Sequence, residues 1–185
     1  MIAQRLARRS AKPLARRINR APSPVVAYTV PWLSIMLASM AGGWMLIAQA
    51  PIMPQFGFMV LLAWRQLRPG LLPVWAGLPL GMVDDAFSGQ VFGSSILLWS
   101  LTLIALDIIE MRFPWRGFVT DWLVACVFLL VCLMLGLLIA NQTGGATSLL
   151  MIVPQMVVTV LSYPVIGRMV GLIDRWRLLR FRVLG

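Results

Sequence analysis

Six carboxylates and two cysteines are the candidates for acid–base or metal chemistry in this chain of 185 residues, which contains no histidine. Nucleophile–base triads and histidine-based metal sites are therefore excluded. The acids that stand out are Asp84 and Asp85, adjacent to one another inside the run GLPLGMVDDAFSGQVFG from Gly77 to Gly93. On a regular helix, neighbours point about 100° apart, so the pair does not converge on one metal ion unless the backbone unwinds. Asp107 and Glu110 share a helix face at i, i+3 and, with Asp121, belong to the opposite end of the helices. Cys126 and Cys132 lie six apart within one apolar run and read as small buried hydrophobes. No catalytic residue, metal site or cofactor is expected, and the chain is not expected to be an enzyme.

The elements that must carry these residues are set by composition. A hydrophobic fraction of 60%, charged residues at 12% and a mean hydropathy of +0.87 describe an integral membrane protein. No charge occurs between Arg20 and Arg65, nor between Asp121 and Arg168. Each gap exceeds the roughly 20 residues a helix needs to cross the hydrocarbon core. A β-barrel would alternate polar and apolar residues in short segments and need a more polar lumen, so the spans are helical. The net charge of +10 sits at the chain ends and in short turns rather than along one surface, which excludes nucleic acid as the partner and points to membrane topology.

Six apolar segments follow in order: 25–48, 55–64, 71–83, 91–106, 118–140 and 147–167. The predicted organisation is a basic tail over 1–24, a six-helix transmembrane domain over 25–170 and a second basic tail over 171–185. If all six segments cross, one side receives all sixteen basic residues: the N-terminal tail, the Arg65/Arg68 turn, the Arg112/Arg116 turn and the C-terminal stretch from Arg168 onward. The other side receives the Pro51/Pro54 turn, an Asp84/Asp85 loop and the Asn141–Thr147 loop, none with lysine or arginine. That asymmetry predicts cytoplasmic termini, whereas five spans would put one arginine-rich terminus outside. The first tail is rich in arginine but poor in serine and interrupted by Pro13, which suits anionic headgroups better than a transit peptide. The stretch Asp174 to Gly185, with arginines between Trp176, Leu178, Leu179 and Phe181, predicts a short surface helix at the inner leaflet.

Glycines at 77, 81, 89 and 93 flank the aspartates in steps of four. Within a membrane helix such spacing makes a groove for close approach of another helix, either a partner's or one of its own. The acid at the turn is placed to cap backbone N–H groups. The pattern Gly81, Asp85, Gly89, Gly93 resembles the signature of the bacterial rod-shape-determining MreD family. The proline-bounded short second segment and Tyr163-Pro164 in the last one agree with it. The resemblance covers roughly residues 25–175, and Asp84 is not part of the family pattern. It implies a six-helix bundle similar to the substrate-binding subunits of energy-coupling-factor vitamin transporters, in the bacterial inner membrane. It further implies a non-catalytic scaffold of cell elongation and peptidoglycan synthesis that binds MreC and, through it, MreB, RodA and a penicillin-binding transpeptidase. On this reading Gly77, Gly81, Asp84, Asp85, Gly89 and Gly93 form a partner-binding or structural motif. The alternative is a vitamin-binding transporter subunit, with Asp84, Asp85, Trp75, Trp99 and Asn141 lining an outer pocket.

Overall fold

The computed structural model describes residues 20–21, 24–45, 53–112, 117–144, 148–177 and 182–183. Among them are six α-helices: α1 (Pro24–Met45), α2 (Phe56–Leu67), α3 (Gly77–Ser88), α4 (Ser94–Arg112), α5 (Phe118–Gln142) and α6 (Leu149–Arg177). A 3-10 turn, Val74–Ala76, leads into α3. The chain is thus all-helical in its body, and four of the helices, α1, α4, α5 and α6, are long and apolar enough to cross a membrane. The basic tail over 1–19, Pro51 and Arg116 lie outside the described residues.

The two shorter helices have 12 residues each, about 18 Å at 1.5 Å per residue, against a hydrocarbon core of about 30 Å. Length alone therefore does not make α2 and α3 spans. Their burial differs from that of the long helices. In α2 every residue from Gly57 to Arg65 is buried, because α1, α5 and α6 pack around it. Phe58, Met59, Leu61, Leu62 and Trp64 are sealed from the exterior and meet Ile35, Leu129 and Val170 in one core. The long helices instead show apolar side chains outward: Leu33 and Leu37 on α1, Leu97 and Leu101 on α4, Val127 and Val131 on α5, Leu161 and Val165 on α6. Apolar residues on all faces, inward and outward, are what a bundle solvated by lipid requires.

Helix directions alternate. Asp85 near the end of α3 meets the start of α4, and Gly77 meets Ser100 further along it, so these two form an antiparallel hairpin, the most extensive packing in the fold. The end of α2 meets the start of α5 through Gln66 and the end of α6 through Arg68. The start of α1 reaches the end of α6 through a bond from Arg177 to the Ala27 carbonyl. The two terminal segments pair as two-residue strands, Arg20–Ala21 antiparallel to Arg182–Val183.

Three sequence expectations change. The aspartates do not lie in a loop after a helix ending at 83: α3 starts later and runs through Ser88, where Gly89 adopts the left-handed φ of 67° that ends it. The last helix does not stop at 167 or at the expected domain boundary of 170 but continues to Arg177, since Asp174 and Arg177 are held in the packed body. No separate surface helix begins at Asp174, and Arg182–Val183 is extended; residues 178–181 lie outside the described set.

Candidate functional site

The Gly77 to Gly93 stretch is a helix hairpin whose turn is built by its own acid. The first N–H groups of α4 have no partner within the helix. Asp85, reaching across from the last turns of α3, supplies one. Its Oδ2 accepts from Gly93 N at 2.8 Å, its Oδ1 from Ser95 N at 2.9 Å, and longer bonds of 3.4 Å come from Ile96 N and Ser94 Oγ. The carboxylate is 5% exposed, and a negative group at this helix start is favoured by the macrodipole as well. Asp85 is thus a capping residue supplied by the preceding helix.

Gly77 and Gly81 make the hairpin close. A Cβ on Gly81 would stand 2.7 Å from Ile96 Cα, and one on Gly77 2.7 Å from Ser100 Cα. The groove expected for another helix therefore exists, but α4 of the same chain fills it. Gly89 and Gly93, at φ of 67° and 98°, serve the turn rather than a groove. Of the six residues singled out by spacing, five are accounted for by this hairpin.

Asp84 is the sixth. It is half-buried and turned toward α1 and α2 rather than α4's backbone, with Oδ2 accepting from Ser95 Oγ at 2.9 Å. It lines a cavity of about 170 Å³ with Ser39, Gln55, Ser88, Gln90 and Gln155. A larger cavity of about 600 Å³ adjoins it, sharing Gln55, Gln90 and Gln155 and bounded by α5 from Leu133 to Thr143. The outer pocket expected from Asp84, Asp85, Trp75, Trp99 and Asn141 does not assemble. Trp75 is 61% exposed and packs at a tilt against Trp32, Trp99 is buried against Phe58, and Asp85 is enclosed by its cap; Asn141 lines neither cavity. Aromatic residues gave that expectation its appeal, yet the described cavities at this end are lined by glutamines, which carried no sequence signal.

At the other end of the bundle a second polar system was missed by spacing. Arg65, 2% exposed in the last turn of α2, reaches Asp107 at 2.5 Å, Glu110 at 3.0 Å and the Leu72 carbonyl at 3.1 Å. Arg68 and Arg177 share Asp174, at 3.0 and 2.7 Å, and the Arg177 guanidinium lies 5.0 Å over the Trp64 ring. Gln66 donates to the Asp121 carbonyl at 2.8 Å and accepts from Tyr163 Oη at 2.6 Å. The one sequence signal was the i, i+3 placement of Asp107 and Glu110, which do share a face and one arginine. Cys126 and Cys132 are free and buried, as expected.

No protein-family model, curated protein or solved structure matches this chain.

Proposed function

We propose that the chain is a non-catalytic membrane scaffold of the MreD type, acting in the bacterial inner membrane with MreC in cell elongation and peptidoglycan synthesis. The observation that carries the reading is the coherence of Gly81, Asp85, Gly89 and Gly93, the four positions of the family-like pattern. Each has a different task in one hairpin: close contact, cap, helix stop and turn. A pattern of such spacing has a physical reason to be held together, which a chance run of glycines lacks.

The finer topology belongs to the same proposal: six crossings, both termini cytoplasmic, and a bundle like the energy-coupling-factor substrate-binding subunits. Two features support it. The six helices alternate in direction, and Arg65, Arg68, Arg175 and Arg177 gather with the paired terminal strands at one end, while Asp84 and Asp85 mark the other. The positive-inside tendency assigns the arginine end to the cytoplasm. Because Asp85 and the glycines are used internally, the partner surface is sought on the outward apolar faces of the long helices rather than at the hairpin.

The test is co-purification of the full chain with a single-span partner carrying a coiled coil and a periplasmic β-domain. Stable association, together with loss of rod shape on depletion, is expected; a chain that stays monodisperse alone with unchanged cell shape on depletion overturns the reading. The alternative, a vitamin-binding transporter subunit, draws on the 600 Å³ cavity, which is of small-ligand size. Mass spectrometry of the purified protein for a bound vitamin separates the two.

A further inference from the structure

Asp84 is the acid that the backbone cap of α4 does not use; its bond to α4 is to the Ser95 hydroxyl alone. A carboxylate at membrane depth is costly unless paired, and its neighbour Asp85 is paired with three backbone N–H groups. Asp84 has Ser95 Oγ, and among the described residues it forms no ion pair, the arginine bridges all lying at the other end. Ser39, only 4% exposed, faces this carboxylate from α1 with its Oγ in no hydrogen bond, and Ser88 Oγ is likewise buried and unpartnered. The amide nitrogen of Gln155 is held by the Met53 carbonyl at 2.7 Å, which leaves its Oε1 as the atom it offers. All four residues line the same cavity of about 170 Å³, with Gln55 and Gln90.

Such a set consists of one carboxyl group, hydroxyls and amide oxygens, all hard oxygen donors around one small space. Gly57 lets Ser39 come this close to the carboxylate: a Cβ there would stand 2.1 Å from Ser39 Oγ and 3.0 Å from Asp84 Oδ1. We propose that the Asp84 cavity binds a compact monovalent cation, held by the Asp84 carboxylate with Ser39 and the surrounding oxygens. One carboxylate balances one charge; a divalent ion would call for a second acid, and Asp85 is committed to its cap. The same chemistry accepts a small inorganic ion or a primary ammonium group. Binding would couple α1, α2, α3 and α6, which the hairpin cap does not do.

The experiment is thermal unfolding of the full chain in detergent at constant chloride, with sodium, methylammonium or bulky N-methylglucamine as the only added cation. Sodium at tenfold excess over its Kd is expected to raise the midpoint by about 3–6 °C over N-methylglucamine. A rise with methylammonium alone assigns the site to an ammonium group. In Asp84→Asn the rise should vanish while the variant still unfolds cooperatively, Ser39→Ala should reduce it, and Asp85→Asn should keep it. Gly57→Ala, whose methyl would displace Ser39 Oγ from beside Asp84, should reduce it without removing a charge. Equal midpoints in all three cations, or a rise that survives Asp84→Asn, would overturn the proposal.

Discussion

The two ends of this bundle solve the same electrostatic problem in opposite ways. At the hairpin end, Asp85 is satisfied by N–H groups only 8 to 11 residues away in sequence. At the arginine end, charges meet across 42 residues for Arg65 with Asp107 and 106 for Arg68 with Asp174. The first arrangement needs only α3 and α4 to fold back on one another. The second exists only when α2, α4 and α6 are already in place. Local geometry thus builds the acid end, whereas assembly of the whole bundle builds the basic end.

The largest effect is expected at the basic end. Arg65→Ala leaves Asp107 and Glu110 facing a buried, unfilled space and should destabilise the fold by about 3 kcal/mol, at the low end for a broken buried pair because Asp107 is partly exposed. Reversible unfolding in mixed micelles reads this directly. Asp85→Ala should follow at about 2 kcal/mol, from the uncapped start of α4, with Asp85→Asn retaining part of the loss-sensitive bonding. If Asp85→Ala proves the costlier of the two, the hairpin rather than the long-range ion pairs anchors the bundle.

Smaller effects sharpen the local side of the contrast. Gly81→Ala puts a methyl 2.7 Å from the Ile96 backbone and should cost about 1–3 kcal/mol, with reduced hydrogen-exchange protection confined to α3 and α4. Gly89→Ala, which forces a side chain into the left-handed region at φ 67°, should cost about 1 kcal/mol by the same unfolding assay. An Ala at Gly81 that is tolerated without loss would mean the hairpin is looser than its backbone contacts indicate.

Much of the fold was legible before the structure, and particular residues show why. The long apolar gaps and the charge asymmetry predict helices that cross a membrane, and α1, α4, α5 and α6 fit that description. The cap was readable from an acid placed at a glycine turn, because its partners are near in sequence. Helix ends were less so: α3 was expected to stop at 83, since aspartates in an apolar run look like interface residues. The N–H groups of the next helix make their burial affordable inside the helix instead. Arg65 was placed only in a basic turn with Arg68 for the same kind of reason. A single basic residue at the end of an apolar segment carries no trace of the acids 42 and 45 positions later that will enclose it.

Composition and spacing by themselves determined the helical class, the membrane-sized segments and a glycine-bounded turn beside the aspartates, because burial in lipid and glycine-permitted turns act on neighbouring residues. Tertiary structure alone decided that α2 is the buried centre, that the glycine groove is filled by α4 and not held open, and that Asp84 parts from Asp85 to face Ser39 and three glutamines. Those outcomes depend on which helices come to lie side by side, and side chains far apart in the chain meet only after that choice is made.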